Sequence, residues 1–204
     1  MDHEEVSKEI AKVSNYLYEK GLVPGKSGNI SCKFSENGVT KVAITPSGFS
    51  LKSVTPEEIV IVDMDGNKIK NDSNSDDKNI PVRKPSSEVF MHLNIYKNRN
   101  DVKSVVHTHS PIATGFAFAG VEIKRLEGFG PIENPVIPFV EYAAPGTMQL
   151  AENVANGLEK EDIVILKNHG VVACSKNLDE AALLTEFVEE SAKIQFVTKL
   201  IGTN

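Results

Sequence analysis

Residues 162–174 read DIVILKNHGVVAC: an apolar run, a polar break at Asn168-His169-Gly170, then a second apolar run. Each run is short and rich in β-branched residues. Asn and Gly at the break are the residue types a tight turn needs, so the stretch reads as two strands joined by a turn. Beyond it, residues from Asn177 to Ile201 form one long helix. Before it, a helix runs from about Thr147 to Leu158, behind an irregular stretch broken by Pro131, Pro135 and Pro138. Pro111 to Gly120 is a short apolar helix, preceded by a β-rich segment, VKSVVHTHS, at 102–110. Ser86-Ser87 reads as the cap of a helix over about 87–98. Upstream, the polar segment NDSNSDDKN at 71–79 is an exposed loop.

In the first third of the chain, Thr55-Pro56-Glu57-Glu58 looks like a cap and first turn, and IVIVDM after it reads as a strand ending at Asp65-Gly66. Short β-like segments around 29–34 and 41–45, separated by Asn37-Gly38, form a hairpin. Val6, Ile10, Val13 and Leu17 recur at helical spacing, giving an amphipathic helix over 3–20 that stops at Gly21. Strands and helices alternate with no internal repeat and no linker. The expected fold is therefore α/β or α+β, one domain over residues 1–204 with a layered sheet core. Periodicity does not order the strands.

The 204 residues are 40% hydrophobic and 25% charged, so the bulk of the chain has a core and is not disordered. A chain of this length buries roughly 70% of its unfolded surface without disulfides or structural metal, so a bound metal would be functional. Lys plus Arg number 22 against 28 Asp plus Glu, a net charge of −6, and no basic cluster exceeds Arg83-Lys84. A nucleic-acid or anionic-membrane partner would need clustered positive charge, so neither is expected. No apolar run approaches the ~20 residues of a membrane span, and the start, MDHEEVSKEI, is acidic and amphipathic, which reads as cytoplasmic. Cys32 and Cys174, far apart in sequence, read as reduced, partly buried thiols.

Two of five histidines form His107-Thr108-His109 at the end of an apolar run. On a strand, positions i and i+2 share a face with Cα atoms ~6.6 Å apart, which lets two imidazoles reach one metal ion; otherwise they are two partly exposed strand-end histidines. His169 is a bulky polar residue in a tight turn, either an exposed loop histidine or a third ligand. Glu88, at the start of the helix before H-x-H, either complements the helix dipole or acts chemically. His92, four residues on, shares its helix face and is either a second ligand beside Glu88 or a packed helix residue. Ser27-Gly28-Asn29, Thr45-Pro46-Ser47-Gly48 and Ser86-Ser87 combine hydroxyls, glycine turns and a helix start. Each alone is a turn or a cap; together they are what a phosphate monoester needs.

S-G-N at 27–29, T-P-S-G at 45–48, P-S-S-E at 85–88, H-T-H at 107–109 and N-H-G at 168–170 resemble, in that order, the class II aldolase/adducin family. The interval of 19 residues from Glu88 to His107 agrees, and the resemblance runs from the first helix to the last. It implies a mixed, mostly antiparallel sheet flanked by helices, and a homotetramer with sites at subunit interfaces. It implies Glu88, His107, His109 and His169 as ligands of Zn²⁺ or another divalent transition metal, with Glu88 also the acid/base. Gly28, Asn29, Thr45, Ser47, Gly48, Ser86 and Ser87 would line a pocket for the phosphate of a sugar substrate.

The implied reaction is cleavage of a ketose 1-phosphate, of the fuculose 1-phosphate kind, to dihydroxyacetone phosphate and an aldehyde through a metal-stabilised enediolate. A 4-epimerase, a dehydratase, a decarboxylase and a non-enzymatic adducin-like assembly module are the alternatives. Aldolases of this family use tyrosines of a neighbouring subunit, one shortly after H-x-H and one near the C-terminus. The tyrosines here are Tyr16, Tyr18, Tyr96 and Tyr142, and none matches either position. Glu127, in RLEGFG, is the proton-transfer group where the first would fall, and is the second catalytic candidate.

Overall fold

The structure is a computed structural model that describes residues 2–69, 83–126 and 134–202. The polar segment 71–79 and Glu127 lie outside the described residues. Helix α1 (His3–Glu19) opens with a reciprocal cap, in which the Asp2 carboxylate accepts the Glu5 N–H and the Glu5 carboxylate accepts the Asp2 N–H. Val6, Ile10, Val13 and Leu17 are all buried, as their spacing requires. Strands β1 (Asn29–Glu36) and β2 (Val39–Ile44) form the hairpin, with Asn37 and Gly38 both at positive φ in its two-residue turn. Two 3-10 turns, at Leu51–Ser53 and Pro56–Glu58, lead into β3 (Val60–Val62).

Helix α2 (Val89–Asn98), β4 (Ser104–Thr108), α3 (Pro111–Ala119), β5 (Phe139–Val140), α4 (Met148–Gly157), β6 (Ile163–Leu166), β7 (Gly170–Ser175) and α5 (Leu178–Leu200) follow. Thr147 and Asn177 cap α4 and α5 with their side chains. Among the described residues, seven strands form one sheet in the order β3-β2-β1-β4-β7-β6-β5, antiparallel throughout except for the parallel pair β5–β6. This is the mixed, mostly antiparallel sheet expected from the resemblance. Two details differ from the sequence reading. Strand β5, only two residues long, lies in the proline-spaced stretch. Helix α2 begins at Val89, with Glu88 at the cap position, so Ser87 is not its first residue.

Alternation along each strand sorts its side chains between two layers. Val42, Ile44, Val105, Val172 and Cys174 pack with α2 and α4. Ile30, Cys32, Ala43 and Val106 pack with α1, and Val171 and Ala173 with α3 and α5. Both cysteines are free and buried, and burial pushes each thiol up to about 12. Among the described residues no helix is long and apolar enough to cross a membrane.

Candidate active site

The register of the three central strands assembles the site. Asn29 on β1 pairs with His107 on β4, and His107 pairs with Val172 on β7. The N-H-G turn before β7 therefore arrives beside the H-T-H end of β4. A Cβ at Gly170 would lie 2.4 Å from the Thr108 carbonyl oxygen, so only glycine lets the two backbones come this close. Asn168 takes the left-handed conformation at φ 55°, and the His169 N–H donates to the Leu166 carbonyl. His109 lies one residue beyond β4, where its N–H donates to the Leu22 carbonyl at 3.1 Å. The three imidazoles meet edge to face, with centroids 4.8, 4.8 and 5.0 Å apart.

The donor set suits a divalent metal. His107 Nδ1–H donates to the Val171 carbonyl at 2.9 Å, which fixes the tautomer and leaves Nε2 as a lone-pair donor. His107 Nε2 lies 3.0 Å from His109 Nε2 and 3.4 Å from Glu88 Oε2, and His169 Nε2 lies 3.6 Å from Glu88 Oε1. A tetrahedral ion with ligands at 2.0–2.1 Å has edges of about 3.3 Å, so these separations are of the right size. Burial holds His107 and His109 down at about 3 and lowers His169 as well, keeping all three rings neutral and able to coordinate. Glu88 Oε1 and His169 Nδ1 are buried without a hydrogen-bond partner among the described residues, and a cation would satisfy the carboxylate. His107, His109 and His169 could together hold a metal ion.

Glu88 occupies the cap position of α2 but makes no cap bond with its side chain. Its own N–H is bound by Ser86 Oγ at 3.2 Å, and its carboxylate turns to the histidines and to Asn29. Ser86 thus holds the turn and leaves the Glu88 carboxylate free of any cap hydrogen bond. His92 shares the face of Glu88 as its spacing required. Its ring reaches Asn29 and Ser31 rather than the imidazole cluster, and the packed reading holds.

The three hydroxyl and glycine segments also meet. The Ser86 N–H donates to the Thr45 carbonyl, the Ser47 N–H to the Lys84 carbonyl, and Pro46 bridges Pro85. The Ile30 N–H donates to Thr45 Oγ1 at 3.1 Å, joining the first segment to the second. Ser47, Gly48 and Ser87 are exposed, whereas Asn29, Thr45 and Ser86 are buried. Gly28, at φ 77°, has no room for a Cβ against Val23 and the His107 carbonyl, and Gly146 packs its backbone on that of Ser87.

The sequence reading placed Asn29 only in the phosphate pocket, and it did not single out Glu189. Asn29 is a bridge, with Nδ2 donating to Glu88 Oε2 at 2.8 Å and Oδ1 facing His92 Nε2 at 2.5 Å. The signal was available: Asn29 and Ser31 share a strand face, and Glu88, His92 and Tyr96 share a helical stripe. Glu189 on α5 accepts the N–H groups of Ile112 and Ala113, capping α3 two residues after His109. Nothing in local sequence marks that contact, because the cap comes from 76 and 77 residues away.

Among curated relatives, an L-fuculose phosphate aldolase of Methanocaldococcus jannaschii is 37% identical over 95% of this chain and 97% of its own. A 3-oxo-tetronate 4-phosphate decarboxylase of Haemophilus influenzae is 31% identical over 92% of this chain and 85% of its own. A solved structure of L-fuculose 1-phosphate aldolase superposes with a TM-score of 0.84 at 33% identity, covering 97% of this chain and 88% of that one. Residues 8–196 match the model of the class II aldolase and adducin N-terminal domain, and with the fold and the five motifs already described, the chain belongs to the class II aldolase and adducin family.

Proposed function

We propose that this protein is a metal-dependent lyase that cleaves a ketose 1-phosphate, similar to fuculose 1-phosphate, into dihydroxyacetone phosphate and an aldehyde. The observation that carries the reading is Glu88: a buried carboxylate with one oxygen unpartnered, turned from its own helix toward three neutral imidazoles. His107, His109 and His169, with Glu88 in the absence of substrate, would hold one divalent ion. That ion supplies Lewis-acid stabilisation of the charge that builds on the substrate oxygens as the carbon–carbon bond breaks.

The chain's own groups do the rest. Gly28, Thr45, Ser47, Gly48, Ser86 and Ser87 would bind the phosphate through backbone N–H and hydroxyl donors, with Asn29 on the border between that pocket and Glu88. Thr45 Oγ1 already accepts from Ile30, leaving its proton to donate. Held at the phosphate, the substrate presents the carbon next to its carbonyl to Glu88. When the bond breaks, the electron pair stays on that carbon, and Glu88, having taken up a proton from solvent as the substrate binds, delivers that proton to it. The neighbouring hydroxyl becomes the aldehyde by giving up its proton, and Glu127 is the group assigned to take it. The phosphate contacts, remote from the breaking bond, fix this geometry.

A homotetramer with Glu127 acting across the interface completes the reading. Phe118 on α3 and Leu183, Ile194, Phe196, Val197 and Leu200 on α5 are exposed apolar side chains that support burial against another copy. Light scattering showing a fully active monomer would contradict it.

A second reading is favoured by the absence of a tyrosine shortly after H-x-H and by the decarboxylase relative: loss of carbon dioxide from a phosphorylated 3-oxo sugar acid. A four-carbon acid of that kind leaves dihydroxyacetone phosphate too, so both readings share the same carbon acid and the same proton delivery. A coupled glycerol-3-phosphate dehydrogenase assay detects that product. Signal with a ketose 1-phosphate and a released aldehyde is expected. No signal with any ketose 1-phosphate, together with carbon dioxide released from the oxo acid, would replace the aldolase by the decarboxylase.

A further inference from the structure

Beneath α2 runs a buried polar seam that the proposed chemistry does not use. Glu88, His92 and Tyr96 lie at successive turns on one stripe, over Asn29 and Ser31 on one face of β1. Ser31, His92 and Tyr96 are buried to within 1% of full exclusion from solvent. Their hydrogens can be assigned by elimination. Glu88 Oε2 accepts from Asn29 Nδ2, so Asn29 Oδ1 faces His92 and requires a donor there. His92 Nε2 must carry the proton. The ring is neutral, since burial drives it down to about 3, so Nδ1 is a lone pair that accepts from Ser31 Oγ at 2.7 Å. With the Ser31 proton committed to His92, the single Tyr96 hydroxyl proton is shared between Ser31 Oγ at 2.7 Å and the Ser31 carbonyl at 3.0 Å.

An amide has two faces of nearly equal shape, and only its partners choose between them. Reversed, Asn29 would turn Oδ1 onto the Glu88 carboxylate and Nδ2 onto the N–H of His92, leaving two repulsive contacts in a buried site. Resting on the proton-carrying role given to Glu88 above, we propose that His92 is a positioning residue: held in its Nε2–H form by Ser31 and Tyr96, it locks the Asn29 amide with its N–H toward Glu88 and so aims the carboxylate at the substrate carbon. The Asn29 side chain then serves the carboxylate rather than the phosphate.

The test joins nitrogen-15 NMR of the wild-type protein to a double-mutant cycle on the metal-loaded enzyme. The spectrum should show the His92 proton on Nε2, slow to exchange, and a proton on Nδ1 instead would reverse the amide and overturn the proposal. This arm holds whichever carbon–carbon bond the enzyme breaks, so its result is separate from the aldolase reading; the rate arm is read as dihydroxyacetone phosphate released from whichever substrate is turned over.

His92→Phe should lower kcat about 10- to 100-fold with metal content unchanged. The KM should move less than about threefold, since the phosphate contacts remain. His92→Gln, which keeps an N–H for Asn29, should regain most of the loss. In an Asn29→Ala background the same His92→Phe change should cost less than about threefold more. Full kcat in His92→Phe, or an equal loss with and without the Asn29 amide, would overturn the proposal.

Discussion

Gly170→Ala is the sharpest test of how the histidines are brought together. The added methyl would sit 2.4 Å from the Thr108 carbonyl oxygen, 3.2 Å from His107 Cε1 and 3.3 Å from His109 Cδ2. None of these is the loose end of a flexible side chain: the first is backbone in β4, and the others are rings of the cluster. A carbon–oxygen contact settles at about 3.3 Å or more, so the start of β7 must retreat from β4 by about 1 Å. Overpacking of this kind costs about 1–3 kcal/mol. For a chain of this size that is a fall in Tm of about 2–12 °C. Because His169 is the preceding residue, the same retreat draws its ring away from His107 and should weaken metal binding about 10- to 100-fold, as losses of ligand support do. Thermal melting of the metal-free protein and competition with a chromophoric chelator measure the two effects. A variant with wild-type melting and wild-type chelator competition would refute the close-approach reasoning.

Glu88→Gln should lose turnover far more than metal, since three imidazoles remain while the proton carrier is gone; elemental analysis beside the coupled assay decides it, and unchanged turnover in the metal-loaded variant would return Glu88 to a helix-dipole role. Ser47→Ala should raise KM about tenfold or more with kcat kept, because one hydrogen bond to a charged phosphate contributes about 1.5–3 kcal/mol. Inorganic phosphate as a competitive inhibitor should weaken in parallel. Metal-free protein should lose stability in mild acid: His92, His107 and His109 sit at about 3 in the fold against 6.5 ordinarily. The unfolded chain therefore binds protons first, and stability, complete above about pH 6.5, declines toward pH 3 by up to about 1.4 kcal/mol per unit for each group. Urea midpoints near neutrality and near pH 5 should show the fall, and a midpoint that rose on acidification would contradict it.

Much of the fold was legible because its elements obey strong local rules. The α1 stripe, the Asn37-Gly38 turn, the caps at Thr147 and Asn177 and the paired runs around His169 are each set by residues next to them in sequence. Strand order was not legible, since it depends on which apolar faces pair across long separations, and β5 is too short to carry a period. In the site, H-x-H and N-H-G could be suspected singly, but their meeting depends on β7 lying beside β4 with Gly170 against Thr108. The spacing of Glu88 and His92 showed a shared face and not what lies under it. Ser31, a small polar residue on a strand, resembles a solvent-facing position until α2 covers it. The Glu189 cap is long-range and left no local trace.

The reading of Glu88 and the three histidines as one acid/base and metal unit meets its plainest test in a half-reaction that needs no aldehyde. Dihydroxyacetone phosphate, incubated in heavy water with the metal-loaded protein, should exchange one hydrogen on its hydroxyl-bearing carbon next to the carbonyl, followed by proton NMR. Exchange should disappear in Glu88→Gln with metal retained, and in His109→Ala with metal lost. Failure of the wild-type protein to exchange that hydrogen while carrying one ion per chain, or undiminished exchange in Glu88→Gln, would contradict the assignment of Glu88 as the group that moves the proton.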